Sequence, residues 1–315
     1  MRILNLTIDE SLEHAKVKDV LSKGLFISDS LCSKLKKREN AITVNGHSVY
    51  TNYTVKIGDI LSVIVSDEKK REELLPIEYP LDIIYENDDY LIINKPSGLA
   101  IHPVKNLFET TLENAVAFHL RNTDDNPHPV SRLDRGTTGI ISIAKSGWAH
   151  NLLKISQRSE MFHKKYLALC LGEPFPLEGT INVPIGFEPG STYKRVVSPD
   201  GATAVSEYKV IDCSEDISLV ELIPRTGRTH QLRVHMAYIG HPLLGDWLYG
   251  KESELIRRPA LHSSHLAFIN PFDHKEYVFN VPLPDDMGSV NIHRPSRWLF
   301  ICGRSPLFLA HTSNV

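Results

Sequence analysis

From Leu81 onward the chain consists of many short apolar segments with few helical stretches between them. Segments rich in Ile, Val, Leu and Tyr and bounded by turn-forming residues predict strands at residues 82–86, 90–94, 140–144, 166–171, 204–210, 219–223, 266–269 and 277–281. Apolar residues at helical spacing predict helices at residues 110–120, 148–158 and 229–239. Because a doubly wound parallel sheet needs a helix between most of its strands, this pattern favours an α+β fold with a mixed, mainly antiparallel sheet.

The first 66 residues have a different pattern and predict a small module of their own. Apolar residues at roughly helical spacing favour two short helices, at residues 11–21 and 30–38. A hairpin is expected around Asn45-Gly46, because this dipeptide readily forms a tight β-turn. A further strand is expected within residues 55–65.

A length of 315 residues favours two domains. The charged run that begins at Asp67 is followed by Pro76 and Pro80, and this composition predicts a solvated linker. We therefore expect a module at residues 1–66, a linker at 67–80, a main domain at 81–284 and a tail at 285–315, where the periodicity is lost.

Composition argues against several classes of protein. With 42% apolar and 23% charged residues, the chain resembles a globular protein and not a disordered one. No apolar run approaches the roughly 18 residues that cross a bilayer, and the start turns acidic before a signal-peptide core develops. The four cysteines lack CxxC spacing, which suits a reducing compartment. We therefore expect a cytoplasmic protein with no membrane partner.

Sequence motifs for bound cofactors are missing. The chain has no GxGxxG motif after a strand and no GxxxxGK[ST] motif, so nicotinamide and P-loop chemistry lack support. The histidine pairs 230/235 and 262/265 do not form the HExxH zinc motif, and no GxSxG motif indicates a serine hydrolase. We expect no nucleotide cofactor, no other cofactor and no metal.

A first polar cluster lies at residues 131–139, directly before a predicted strand. Asp134 stands there between Arg132 and Arg135, and neighbouring guanidinium groups favour the charged form of a carboxylate. Gly136 and Gly139 allow a tight turn with close backbone approach. Taken alone, the cluster favours the simpler interpretation, an aspartate that caps a turn while its arginine neighbours hold the loop.

Two further clusters follow. Residues 224–235 contain Arg225, Arg228 and Arg233 and no acid, at the predicted start of a helix, where phosphate or carboxylate groups bind readily. Residues 240–250 combine regular glycines with aromatic residues and indicate a rigid loop, for which a purely architectural role is favoured.

In order along the chain, these clusters resemble the motifs of the RluA family of RNA pseudouridine synthases. Residues 131–139, Ser-Arg-Leu-Asp-Arg-Gly-Thr-Thr-Gly, resemble the family's HRLDRDTSG, and residues 226–235 differ from its TGRTHQIRVH only by Leu232. Further similar segments are 94–103 (NKPxG…HP), 164–172 (KxYxA…G), 240–250 and 261–262. The resemblance covers roughly residues 81–284, and residues 11–65 more weakly resemble the α-L RNA-binding module that often precedes this domain.

The resemblance implies roles for four residues. Asp134 matches the catalytic aspartate, which either attacks the ribose or removes a ribose proton. Arg228 matches the arginine expected to pair with it, and Tyr166 matches the active-site tyrosine, whose ring can stack on uracil. Arg132 matches the arginine that helps displace the target base.

The resemblance also implies an RNA partner, with ribosomal RNA favoured over transfer RNA, and a monomer as the family-like default. Predicted RNA contacts are Arg132, Arg135, Arg225 and Arg233 in the main domain and Lys34, Lys36, Lys37 and Arg38 in the module. The net charge of −3 hides this distribution, since residues 1–66 carry nine basic and seven acidic side chains, which is +2.

Two alternatives remain open from the sequence. One is a non-catalytic RNA-binding or ribosome-associated protein on the same scaffold. The other is a glycosidase or nucleosidase, which usually needs a second carboxylate within about 10 Å, and Asp246 is the motif-borne candidate. Ser131, Gly136 and Asn270 depart from the family pattern of His, Asp and His, which leaves the Arg-Leu-Asp core intact.

Overall fold

The apolar segments form the strands of two main sheets in the computed structural model, which describes residues 2–67, 69–103, 109–159, 161–214 and 216–290. The strands are β1 (Ile3–Thr7), β2 (Ile42–Val44), β3 (His47–Ser48), β4 (Ile60–Ile64), β5 (Ile83–Glu86), β6 (Tyr90–Lys95), β7 (His128–Pro129), β8 (Thr138–Ala144), β9 (His163–Leu171), β10 (Glu178–Asn182), β11 (Ile185–Phe187), β12 (Arg195–Val197), β13 (Val205–Cys213), β14 (Ile217–Pro224), β15 (Leu261–Ile269) and β16 (Glu276–Asn280). The helices are α1 (Val17–Lys23), α2 (Asp29–Leu35), α3 (Leu112–His119), α4 (Gly147–Ser156), α5 (Gln231–Tyr238) and α6 (Asp285–Gly288).

The N-terminal residues form an antiparallel sheet of their own, in the order β1-β4-β2-β3, beside α1 and α2. The hairpin predicted around Asn45-Gly46 is present, and both residues have positive φ angles, 51° and 80°. The first predicted helix is shorter than expected, because residues 13–16 interrupt it after a 3-10 turn at Glu10–Leu12. The boundary of this module stays a prediction.

A large mixed sheet forms the centre of the main domain, in the order β10-β13-β14-β9-β15-β8-β6-β5, with β16 beside β15 and β7 beside β8, and β11 and β12 pair in a separate two-stranded sheet. Neighbouring strands are antiparallel except β15 and β8, which run parallel. The predicted α+β fold with a mixed, mainly antiparallel sheet is confirmed. At the parallel contact Gly139 has a φ of 102°, and a Cβ there would lie 2.2 Å from the carbonyl oxygen of Ser263, so glycine is required.

Apolar side chains cover both faces of this sheet. Along β6, Tyr90 and Ile92 join one buried cluster, whereas Leu91 and Ile93 join a second, as the alternation of a strand requires. The first cluster also contains the core of the N-terminal module and the apolar side of α4. The second lies under α3 and α5.

The segment predicted to be a solvated linker instead packs against the main domain. Asp67 pairs with His128 at 2.7 Å, and Arg71 donates to the buried carboxylate of Glu113 at 2.8 Å. Buried or half-buried acids need partners, and these pairs form between the segment and the main domain. In the predicted tail, Asp286 of α6 pairs with Arg258 through two hydrogen bonds, and residues 291–315 lie outside the described ranges.

In the described part of the chain, no helix is long and apolar enough to cross a membrane. Cys32 and Cys170 are buried free thiols, and Cys213 is buried with its thiol 3.0 Å from Glu173 Oε1, whereas Cys302 lies outside the described residues.

Candidate active site

Three elements bring the polar clusters to one cleft of about 830 Å³. The loop between β7 and β8 carries Asp134, β9 carries Tyr166, and the turn between β14 and α5 carries Arg228. The side chain of Gln231 fixes this turn, because its oxygen accepts from the backbone of Arg228 and the hydroxyl of Thr226. The parallel contact of β8 with β15 fixes the strand that follows the Asp134 loop.

A buried chain of ion pairs holds Asp134. Arg233 Nη1 donates to Asp134 Oδ2 at 3.1 Å, and Nε and Nη2 of the same guanidinium donate to Asp246 at 2.7 and 2.8 Å. Asp246 is fully buried, whereas the Asp134 side chain keeps 25% of its surface exposed. Burial opposes the charge on Arg233, but the two aspartates outweigh it and raise the pKa of Arg233. The arrangement therefore presents one accessible carboxylate oriented by a fixed cation.

The pairing predicted for Arg228 is wrong, because Arg233 makes it. Arg228 precedes α5, and its Nε donates to the carbonyl oxygen of Thr203 at 2.9 Å. Arg233, predicted to contact RNA, lies in the first turns of α5 and is buried between two aspartates. Arg228 and Arg233 are five residues apart in the sequence. Which of them faces Asp134 depends on the residue at which α5 begins.

Tyr166 lies in the cleft together with Asp134, as the sequence predicts. Its side chain is buried on β9, and burial raises the pKa of Tyr166 to about 12. The phenol is therefore neutral at neutral pH and offers a ring edge or face to a base.

The other arginines of the main domain that are predicted to contact RNA differ in which protein groups they already bind. Arg132 is exposed and donates to the Thr229 hydroxyl at 3.3 Å. Arg135 pairs with Glu109 at 2.9 Å, and Arg225 forms two hydrogen bonds with Glu207. In the module, Lys34, Lys36 and Lys37 are exposed, whereas Arg38 donates to the carbonyl oxygen of Ser66.

Lys95 supports the Asp134 loop from below, a role that the sequence did not reveal. Its side chain is fully buried, and its ammonium donates to the carbonyl oxygens of Pro96, Leu99 and Arg135 at 2.7, 3.0 and 3.2 Å. Burial and the nearby Arg258 guanidinium lower the pKa of Lys95 to about 7. The available sequence signal is that Lys95 stands before a proline and a glycine in residues 94–98. A buried cation needs hydrogen-bond partners, and backbone carbonyl oxygens provide them here.

His230 is a second residue that sequence reasoning missed. It has a φ of 57°, and its Nε2 lies 3.9 Å from Asp134 Oδ2 while its Nδ1 lies 2.8 Å from the Tyr249 hydroxyl. Burial lowers the pKa of His230, although Asp134 opposes this effect. A neutral imidazole therefore borders the carboxylate at neutral pH.

The charge of the cleft is strongly biased. Among the described residues that line it, Asp134 is the only carboxylate. The basic lining residues are Arg132, Lys154, Arg158, Lys164, Arg225, Arg228 and Arg233. A single anion in a cationic cleft suits a polyanionic substrate with one reacting centre.

Comparison with known proteins gives consistent matches. A family model described as RNA pseudouridylate synthase matches residues 89–238. The protein is 40% identical over 268 residues to the Bacillus subtilis protein named "Uncharacterized RNA pseudouridine synthase YjbO", covering 84% of this chain and 95% of that one. It is 34% identical over 229 residues to the ribosomal large subunit pseudouridine synthase D of Zymomonas mobilis, covering 67% and 72%. The solved structure of human RNA pseudouridylate synthase domain containing 1 matches with a TM-score of 0.54 and 26% identity, covering 64% of this chain and 83% of that one.

Proposed function

The chain belongs to the RNA pseudouridylate synthase family and is an RNA pseudouridine synthase, and we propose that it uses Asp134 to isomerise uridine in ribosomal RNA. The observation that carries this proposal is that Asp134 is the only carboxylate among the described residues of a cleft that is also lined by seven lysines and arginines and by Tyr166. The reaction breaks the bond from the ribose carbon to uracil N1, rotates the base and joins the same ribose carbon to uracil C5. One proton leaves C5 and N1 gains one, so the atoms and electrons balance.

Asp134 acts on the ribose in this proposal. Its carboxylate either attacks the ribose carbon and forms a temporary ester, or removes a ribose proton, and both routes need the same ionised oxygen. Arg233 keeps that oxygen oriented, while Asp246 fixes the guanidinium of Arg233 through two hydrogen bonds.

Tyr166 and Arg132 handle the base. The Tyr166 ring provides a stacking surface at the cleft, and the exposed Arg132 fills the gap that the extracted uridine leaves in its stack. Filling that gap offsets part of the few kcal/mol that flipping a base costs.

The remaining predicted contacts bind the RNA backbone. Arg228 lines the cleft, and the exposed Lys34, Lys36 and Lys37 extend the basic surface to the N-terminal module. Arg135, Arg225 and Arg38 also belong to this proposal, but each already has a protein partner, so we assign them weaker contacts.

The geometry of Asp246 argues against a nucleosidase. A hydrolase of this kind would need a second carboxylate to activate water, yet both oxygens of Asp246 bind Arg233 and the side chain is fully buried.

Mapping pseudouridines in RNA from cells with and without this gene tests the substrate. We expect one or more pseudouridines of the large ribosomal RNA to disappear when the gene is removed and to return when it is restored. Loss of pseudouridine from transfer RNA alone would contradict the ribosomal assignment. An unchanged pattern in all RNA would contradict the proposed function.

A further inference from the structure

A second set of cations lines the cleft and has no role in the chemistry described above. Lys154 lies near the end of α4, Arg158 follows that helix, and Lys164 lies on β9. We call these three residues the α4–β9 basic wall. They come from segments that the sequence motifs of the active site do not single out, apart from the lysine that opens residues 164–172.

Within the described ranges of the chain, the three residues of the basic wall have no acidic partner, unlike several other cations of this protein. Lys154 Nζ donates to the carbonyl oxygen of Val130 at 2.9 Å, and Lys164 Nζ lies 5.5 Å from the centre of the Phe162 ring. Among the described residues, no carboxylate forms an ion pair with any of the three. By contrast, Arg225 pairs with Glu207, and Lys165, the neighbour of Lys164 on β9, pairs with Glu221 at 3.2 Å.

These cations destabilise one another. Burial lowers the pKa of Lys164 to about 7, and the charge of Lys154 adds to this effect. Burial also lowers the pKa of Lys154, and the positive charges of Arg132 and Arg158 add to this effect. Two half-buried lysines beside an exposed arginine, with no acid among their described neighbours, are unfavourable in the free protein, and anion binding relieves this repulsion.

The location of the wall indicates which anion fits. Lys164 and Tyr166 are two residues apart on one strand, so their side chains emerge on the same face about 7 Å apart. If Tyr166 stacks on the target base, an anion beside Lys164 is a phosphate of that nucleotide or of its neighbour in the chain. A cleft of about 830 Å³ has room for more than one nucleotide.

We propose that Lys154, Arg158 and Lys164 bind the phosphodiester backbone of the RNA strand that flanks the flipped uridine. This proposal rests on the proposed function for the identity of the strand. The basic wall then offers positive charge to the RNA strand when the target base leaves the RNA helix. The binding energy of the flanking phosphates helps to hold the uridine at Asp134.

The test measures how salt affects the affinity of the full-length protein for a labelled single-stranded 12-mer of uridylate. The double variant Arg158→Gln/Lys164→Gln removes two proposed contacts and spares Lys154, whose ammonium holds Val130. Each lost phosphate contact lowers the slope of log affinity against log salt by about 0.7, so we expect a decrease of about 1.4 and roughly 20-fold weaker binding at 0.1 M salt. Lys165→Gln, on the other face of β9, is the matched control and should leave the slope unchanged.

Two further measurements separate phosphate binding from other effects. Arg158→Lys/Lys164→Arg keeps the charge and should restore the wild-type slope. A uridylate 12-mer with uncharged methylphosphonate linkages should bind the wild type and the double variant equally. An unchanged slope in the double variant, or in the exposed Arg158→Gln variant alone, would overturn the proposal, as would equal weakening by Lys165→Gln.

Pseudouridine formation by the wild-type protein separates this proposal from the proposed function. If the wild type forms pseudouridine but the double variant keeps the full salt slope, the basic wall is refuted and the function stands. If the slope falls as expected but the wild type forms no pseudouridine in any RNA, the wall is supported as a phosphate site and the function is refuted.

Discussion

Asp134 occupies its position in the cleft because two buried cations fix it from different sides. Arg233 holds the carboxylate itself, and Lys95 holds the carbonyl oxygen of the next residue, Arg135. The same carbonyl oxygen accepts from the Gly98 backbone, and Arg135 Nε donates to Gly98, so two loops are joined behind the reactive group. Such contacts hold the aspartate in one position. Preorganisation of a reactive group in this way supplies much of the rate enhancement of an enzyme.

Replacing Lys95 with methionine tests this support. Lys95→Met preserves the approximate length of the side chain but removes the ammonium that donates to three carbonyl oxygens, of which the Arg135 oxygen still accepts from Gly98, at a cost of about 1–3 kcal/mol. We expect kcat to fall at least about tenfold with KM nearly unchanged, because the carboxylate loses its position and the RNA-binding surface stays intact. Lys95→Arg, which retains donors, should recover part of kcat. A loss in KM alone would contradict a positioning role.

His262 makes the folding stability depend on pH. Its Nδ1 lies 2.9 Å from the Thr138 hydroxyl, and burial lowers the pKa of His262 to about 4. The unfolded chain binds a proton at about pH 6.5, so the stability from the neutral ring is complete above that pH and is lost as the pH falls towards 4. The loss amounts to about 3 kcal/mol at most.

Chemical denaturation of the wild type and His262→Asn between pH 7 and 4 measures this contribution. The variant should lose less stability over the window than the wild type does. Parallel stability curves for the two proteins would show that His262 contributes nothing to the pH dependence.

At the scale of elements, α4 joins the N-terminal module to the cleft. Trp148 Nε1 donates to the carbonyl oxygen of Leu25 at 2.8 Å, and Asn151 donates to Phe26. Lys154 and Arg158, at the other end of the helix, line the cleft. A module contact and a cleft contact therefore lie on one short rigid segment.

The Trp148 contact predicts a stability effect. Trp148→Phe keeps an aromatic side chain but leaves the Leu25 carbonyl oxygen without its donor, so we expect the free energy of unfolding to fall by about 1–3 kcal/mol. Trp247→Phe is the matched control, because Trp247 is 60% exposed and its replacement should change the free energy of unfolding by less than about 0.5 kcal/mol. Equal stability of the two variants would mean that α4 does not hold the module.

Local sequence patterns predicted most of the strands and helices, but they predicted little of which strands pair with one another in the sheets. The strand at 140–144 and the helix at 148–158 follow from apolar periodicity, and β8 and α4 lie there. The short strands β10, β11 and β12 carry little apolar alternation and were missed. The parallel contact of β15 with β8 joins residues more than 120 positions apart, so its register depends on tertiary packing that no local pattern contains.

The residues of the active site were likewise predicted only in part from the sequence. Family motifs predicted that Asp134 and Tyr166 share a site, and both line the cleft. They did not identify Arg233 as the partner of Asp134, because that depends on the rotation of α5 against the Asp134 loop. Lys95 was missed for a related reason, since its three acceptors are backbone atoms, which leave no trace in residue type.

At the scale of the whole molecule, the N-terminal module and the main domain share one apolar cluster. Val20 and Leu21 of the module belong to the same buried cluster as Tyr90 and Trp148. Deletion of residues 1–66 would expose this apolar surface, so loss of RNA binding in such a fragment would not separate misfolding from a lost contact.

Charge substitution tests the module without exposing its core. Replacing Lys34, Lys36 and Lys37 with glutamine should lower the slope of log affinity against log salt by about 2 for ribosomal RNA, with kcat unchanged. The matched control replaces three exposed lysines that do not line the cleft, Lys209, Lys251 and Lys275. An equal change in both triple variants would contradict a specific role of the module in binding RNA.

The purified Asp134→Asn protein shows whether the Asp134 carboxylate carries out the reaction. Asparagine keeps the shape of the side chain and an oxygen that can accept from Arg233, but it removes the charge. Binding of ribosomal RNA and pseudouridine formation are measured on the same preparation. We predict that binding stays within about threefold of the wild type while no pseudouridine forms, since only the ionised oxygen can act on the ribose. Measurable product from Asp134→Asn free of wild-type protein would contradict the account.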